Sequence, residues 1–428
     1  MSNRLETKAM KPESKQILKP KLRFPEFRDK DGWEEFTGDK IFEQINDRNP
    51  DPNLPVLAIT QEYGAIPRDA IDYHVSVTDK SIENYKVVRV GDFIISLRSF
   101  QGGIEYSQYH GICSPAYVIL RRRIEGSDSY FKHYLKTNRF IGLLTKNLEG
   151  LRDGKMVSYT QFSELSLPVP SPTEQQKIAE CLTSLDELID AHGQKLDELK
   201  AHKKGLTQQL FPREGETIPR LRFPEFQDAP EWTQHKFGNF VVESFYGTSE
   251  STSDKGQYPV LRMGNMVDGG LDFTNLVYID LDREKFDVIR LKKGDILLNR
   301  TNSRELVGKI SLFEMESECI TASYIVAFRL NTNEVHPLFC NVMLNTQLYQ
   351  AKIKLLATPS ISQANINPTT FRNSLDILIP TKSEQRRIAN CISSLGEMIF
   401  AQTQKLEALK IHKKGLMQQL FPSPGGEA

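Results

Sequence analysis

The sequence is short of the residues that staple or catalyse. Five cysteines, at 113, 181, 319, 340 and 391, are scattered through 428 residues, an odd number with no Cys-x-x-Cys pair. Neither a disulfide framework nor a zinc ribbon is expected, and the reduced thiols of a cytoplasmic protein are the simple reading. Charge of one sign is also missing, since 55 basic side chains are matched by 55 acidic ones. That balance excludes binding nucleic acid through bulk positive charge. No apolar run reaches the roughly 18 residues of a membrane span. Residues 1–20 are polar, without the apolar stretch of a secretory signal. The eight histidines show no metal-ligand spacing, so no metal is expected. Phosphate-binding Walker, His-Glu-x-x-His and Gly-x-Ser-x-Gly motifs are absent, as are the Asn/Asp-Pro-Pro-Tyr/Phe and Gly-rich loops of amino-methyltransferases. Asp153-Gly154-Lys155 and Glu198-Leu199-Lys200 supply only the second half of a nuclease pattern. No catalytic residue is assigned to this chain.

What is present is repetition, at a period far above that of solenoids. Leu22-Arg23-Phe24-Pro25-Glu26-Phe27 recurs as Leu221-Arg222-Phe223-Pro224-Glu225-Phe226, and the two tryptophans, Trp33 and Trp232, keep the same offset. Residues 174–212 match 384–422 at 25 of 39 positions. Between these matching ends the two halves differ, apart from echoes such as Gly91-Asp92-Phe93-Ile94-Ile95-Ser96 against Gly294-Asp295-Ile296-Leu297-Leu298-Asn299.

The shared segment is an amphipathic helix. Ile178, Leu182, Leu185, Ile189, Leu196, Leu199, Leu206 and Leu210 fall on four- and three-residue steps, and Ile388, Ile392, Leu395, Ile399, Leu406, Leu409, Leu416 and Leu420 repeat them. A 3.5-residue seam is the pattern of a coiled coil. Thr173 and Ser383, each before Glu-Gln, read as N-caps without capping-box spacing. Phe-Pro ends both copies, because proline disfavours helical geometry in the residue before it. Such a helix is roughly 57 Å long and needs a partner for its apolar stripe. Its own copy is the nearest one. Antiparallel pairing, which gives pseudo-two-fold symmetry, is preferred over parallel.

The remaining segments alternate short β-rich runs with Gly and Ser turns, at 87–97 and 117–120 and again at 295–298, 308–313 and 323–328. Helical spacing over 130–144 and 338–356 predicts one helix after each sheet. The fold class is thus α+β, with two globular domains separated by two long helices that form an antiparallel coiled coil. The expected boundaries are a flexible tail 1–20, a domain 21–170, a helix 171–212, a linker 213–220, a domain 221–380, a helix 381–422 and a tail 423–428.

The loops after equivalent strands favour binding. They carry Arg98, Ser99 and Gln101 in the first domain and Arg300, Asn302 and Arg304 in the second. Arg152, Lys155 and Ser158, and Ser360, Ser362 and Gln363, precede the strand leading to each helix. Arg, Asn and Gln can read guanine and adenine edges, while Ser and Lys can hold phosphates. Neither domain is basic: 21–170 carries 20 basic and 21 acidic groups, and 221–380 carries 16 and 19. Alone the chain should therefore grip DNA weakly. Arg121-Arg122-Arg123 is the one local run, in a strand context that suits an exposed edge.

With these elements together, the chain resembles the specificity subunit of type I restriction-modification systems. The likeness is carried by the Leu-Arg-Phe-Pro-Glu-Phe starts, the tryptophans, the Gly-Asp strands, the stretch Leu-Pro-Val-Pro-Ser-Pro-Thr-Glu-Gln-Gln-Lys-Ile-Ala at 167–179 with its echo at 378–389, and the Leu-Phe-Pro ends. It implies two target-recognition domains, each reading half of a split site in double-stranded DNA, and antiparallel helices that act as a ruler; the gap between half-sites is then expected to be roughly one duplex turn, about 34 Å. It also implies partners: two methylation subunits that bind S-adenosylmethionine, and restriction subunits that use ATP and Mg. No cofactor is implied for this chain. Two other readings fit the same residues: a DNA-binding regulator that works alone, and an interaction scaffold with no nucleic-acid role.

Overall fold

The computed structural model describes residues 18–49, 51, 53–71, 84–146, 157–359 and 363–422. The chain forms two compact units, Met1–Gly193 with Gln404–Ala428, and Gln194–Thr403. The division does not separate globular domains from helices, as the sequence suggested. It cuts both long helices, Pro172–Leu210 and Lys382–Leu420, at equivalent places, after Gly193 and after Thr403. The physical reason is that the end of each half-helix remote from the cut packs into the core of one unit.

In the first unit, Ile178, Ala179 and Leu182 share a core with Leu420 and Phe421, and Leu416 and Met417 pack against it. Asp186 is ion-paired to Lys413. In the second unit, Leu206 packs against a core that contains Leu210, Ile388 and Ile392. Lys203 Nζ lies 3.5 Å from the place a Cβ on Gly396 would occupy. Inside each unit, rising numbers on one helix thus face falling numbers on the other, so the halves run antiparallel. Ile178, Leu182, Leu196, Leu210, Ile388, Ile392, Leu406 and Leu420 are buried, and Leu185, Ile189, Leu199, Leu206, Leu395, Ile399, Leu409 and Leu416 are half-buried.

The two globular portions share a topology that their sequences hide. The first unit has an antiparallel four-stranded sheet in the order Phe42–Ile45, Val118–Arg122, Phe93–Ile95, Glu105–Tyr106. The second repeats it as Val241–Tyr246, Ile325–Leu330, Ile296–Asn299, Ile310–Leu312. Each unit is closed by an antiparallel pair that leads into its helix: Glu34–Thr37 with Ser166–Val169, and Thr233–Lys236 with Asp376–Ile379. Each central strand begins at a Gly-Asp turn. Gly91 and Gly294 sit at φ +95° and +97°, which only glycine adopts freely.

Three expectations need correction. Each single helix after the sheet is two helices, Asp128–Tyr134 with Asn138–Lys146, and Pro337–Leu344 with Gln347–Leu355. Thr137 and Thr346 interrupt them, their hydroxyls accepting from the Phe140 and Tyr349 amides as N-caps do. The caps of the long helices are Ser171 and Thr381, whose hydroxyls accept from the Glu174 and Glu384 amides at 3.4 Å, not Thr173 and Ser383. The tail ends earlier than residue 20, since Leu18 is buried and bridges Trp33.

Candidate nucleic-acid interface

The repeated motifs are occupied by internal bonds. Arg23 donates from Nε and Nη2 to both carboxylate oxygens of Glu174 at 2.7 Å, and from Nη1 and Nη2 to the Lys30 and Asp31 carbonyls at 2.9 Å. Arg222 does the same to Glu384, at 2.8 Å twice, and to the Ala229 and Pro230 carbonyls. The next helix residue reaches the other way. Gln175 Oε1 accepts from the Ser127 amide and Gln385 Oε1 from the His336 amide. The motif start also meets a helix end within each unit, through Leu22 N–H to Gln419 O and Leu221 N–H to Gln209 O, both 3.0 Å.

The Gly-Asp strands follow the same rule. Asp92 accepts two bonds from Arg121 at 2.8 Å and one from the Arg89 amide. Asp295 accepts from Arg329 at 3.0 and 2.9 Å and from the Lys292 amide. These hydrogen bonds to Asp92 hold the Arg121 guanidinium above its ordinary pKa. Arg122 is paired with Asp128. The Arg121–Arg123 run is therefore not an exposed cationic edge, because its strand lies inside the sheet and two of its three charges are neutralised.

The unrepeated loops are different. In the second unit the loop after the central strand and the segment before the helix, 65 residues apart, meet as one surface. Thr301–Asn302, Ala364–Ile366 and Ala357–Pro359 form a small antiparallel sheet, with Thr301 opposite Asn365. Arg300 Nη1 donates to Asn365 Oδ1 at 2.8 Å, and its guanidinium lies 5.2 Å from the Tyr246 ring centroid. Arg304, Gln363 and Asn365 are exposed; Asn302 is half-buried, with its Nδ2 at 3.2 Å from Met263 Sδ. Neither Tyr246 nor Asn365 was singled out by sequence, although Asn365 stood in the expected loop.

In the first unit Arg98 and Gln101 are exposed on the turn Ser99–Gly102, and the Arg98 carbonyl accepts from Gln61 Nε2 at 3.2 Å. Ser99 corrects the expectation. It is 1% exposed and its hydroxyl accepts from the Ser96 amide at 2.8 Å, so it shapes the turn and cannot touch a ligand. Ser158 is exposed but forms a capping box with Gln161. Arg152, Lys155, Ser360 and Ser362 lie outside the described residues.

A buried histidine of the first unit is held away from its ordinary pKa. His133, 3% exposed, sits 3.9 Å from Asp186 and 3.5 Å from the Thr183 hydroxyl. Burial, helped by Lys413 and Lys132 and opposed by Asp186, pushes its pKa down from 6.5 to about 4. The corresponding groove of the second unit carries Val342 and Gly396 instead. The depressed pKa means the unfolded chain takes the proton first as pH falls through 6.5. His133 should therefore lower the stability of the first unit as pH falls from 6.5 towards 4, by on the order of 2 kcal/mol at pH 5. Urea unfolding of the protein and of H133V at pH 7 and pH 5 checks this. Equal pH dependence of the two proteins contradicts it.

Two pseudo-equivalent units, framed by identical ion pairs and differing in their exposed loops, define a duplicated recognition protein. The sequence model of the type I restriction modification DNA specificity domain matches residues 30–201 and 243–410, and the chain belongs to that family. It is similar to the Methanocaldococcus jannaschii protein named as the MjaX type I restriction enzyme specificity subunit, with 31% identity over 41% of each chain. It is also similar to the StySPI specificity subunit of Salmonella potsdam, with 22% identity over 66% of this chain and 60% of that one. The similarity to the MjaVIII specificity subunit of M. jannaschii, 23% identical, covers 81% of each. The chain thus spans about two fifths and three fifths of the first two relatives. The crystal structure of the type I system S subunit from M. genitalium shares the fold, with a TM-score of 0.56 at 14% identity over 95% of this chain and all of that one. No helix among the described residues is long and apolar enough to cross a membrane.

Proposed function

We propose that this chain is the sequence-reading subunit of a type I restriction-modification complex, each unit reading one half of a bipartite DNA target. The observation that carries this is the division of labour between residues. What repeats, Arg23/Arg222, Glu174/Glu384 and Asp92/Asp295, is consumed in internal bonds. What does not repeat lies on the loops at Arg98–Gln101 and Arg300–Arg304 and on the segment Gln363–Asn365 that meets the second of them. Two frames of one design with unlike faces suit the reading of two unlike half-sites. Base edges would be met by Arg98, Gln101, Arg300 and Gln363 and phosphates by hydroxyls and lysines.

On this reading methylation and cleavage belong to partners: two methylation subunits that bind S-adenosylmethionine, and restriction subunits that use ATP and Mg. The paired Arg121, Arg122 and Arg329 leave little free positive charge on either sheet, which suits DNA being clamped by a whole assembly. The long helices would dock the methylation subunits and set the gap between half-sites. Mapping methylated sites in cells that carry the chain and its methylation subunit tests this. One two-part motif with a fixed gap is expected. Methylation without a two-part motif, or no association with a methyltransferase, overturns it.

A further inference from the structure

We propose that Arg300 reads a guanine by its major-groove edge, and that Tyr246 and Asn365 are the positioning residues that hold it for that contact. The assignment rests on the DNA-reading function proposed above. Arg300 is pinned at the backbone on both sides: its N–H donates to the Tyr324 carbonyl at 3.0 Å, and its carbonyl accepts from the Ile366 amide at 2.8 Å. Its side chain is pinned as well. Nη1 donates to Asn365 Oδ1 at 2.8 Å, and the Thr301 hydroxyl holds that same oxygen at 3.1 Å. The guanidinium lies over the Tyr246 ring, 5.2 Å from its centroid, an arrangement that favours a cation. Nε is buried without a hydrogen-bond partner.

Two further features separate Arg300 from the other central arginines. Arg121 and Arg329 have carboxylates against them, whereas Arg300 has no ion pair among the described residues. It also stands where the frame stops repeating: after Gly294-Asp295-Ile296-Leu297-Leu298-Asn299 comes Arg300, and after Gly91-Asp92-Phe93-Ile94-Ile95-Ser96 comes the exposed Leu97. Holding an arginine in one rotamer costs entropy. A phosphate contact gains little from such fixity, because a flexible chain finds the charge equally well. Donation by two N–H groups to guanine O6 and N7 needs the fork in place.

The test uses the full chain assembled with its methylation subunits, on duplexes in which each guanine of the second half-site is replaced in turn by 7-deazaguanine, which lacks N7. The unchanged complex should bind one such duplex on the order of 10-fold more weakly. R300A and R300K should lose that difference and keep every preference within the first half-site, which serves as the folding control. Y246A should weaken the discrimination while Y246F, which keeps the ring face, retains it. Discrimination that survives in R300A at every guanine, or a uniform loss of affinity with discrimination intact, overturns the assignment alone. Absence of any sequence preference in the unchanged complex overturns the proposed function, and the assignment with it.

Discussion

Arg222→Ala should lower the unfolding free energy of the second unit by about 3–5 kcal/mol, the cost of removing one partner from a buried ion pair. Arg222 and Glu384 side chains are 6% and 1% exposed. Without the arginine, the Glu384 carboxylate keeps, among the described residues, only the Trp232 indole N–H, at 3.4 Å. Two carbonyls, of Ala229 and Pro230, lose their donors as well. Arg23→Ala should do the same to the first unit, through Glu174 and the Lys30 and Asp31 carbonyls. Each unit contains one tryptophan, so W33F leaves Trp232 to report the second unit and W232F leaves Trp33 to report the first. Urea unfolding followed by that fluorescence should show one transition displaced and the other unmoved. The transitions are fitted separately, because a chain of two units is not two-state. A displacement below about 1 kcal/mol would show that water reaches the pair, as at a surface salt bridge.

That pair also shows what the residues reveal by themselves. The motif containing Arg222 is conspicuous because it recurs, and the helix containing Glu384 is conspicuous because its apolar steps recur. Their union across 162 positions is invisible in either. Helix and strand periods come from local geometry, so the long helices end at Leu210 and Leu420, before the Phe-Pro pairs. The central strands likewise follow Gly91-Asp92 and Gly294-Asp295. What escaped depends on which way a side chain points. Ser99 resembles an exposed turn serine, but its hydroxyl is turned inward onto the Ser96 amide. Thr137 and Thr346 sit within apolar spacing that suits one continuous helix, and their capping of a second helix is settled by packing. The proposed reading surface was legible as two loops. Their joining through Thr301 and Asn365 relies on three strands of two or three residues, too short for any period to announce.

On the proposed function, the spacing between half-sites should change when the helices change length. Seven residues inserted after Gly193 and seven after Thr403 add two turns to each helix, about 10.5 Å at 1.5 Å per residue. A whole heptad keeps the 3.5-residue seam in phase, so Leu196 and Leu406 stay on the apolar stripe; a four-residue insertion would rotate the following half-helix out of phase. Both helices must receive the insertion, because their halves run antiparallel within each unit and one longer helix would draw each half past its partner. At 3.4 Å per base pair, the preferred gap should grow by about three base pairs. The natural site should then be lost, while both half-site sequences stay the same. A single added turn in each helix should move the gap by one or two base pairs at lower stability. Methylation mapping reads all three outcomes at once. A two-part motif that keeps its original gap in the lengthened protein would mean that the gap is set elsewhere, by the partner subunits or by the DNA.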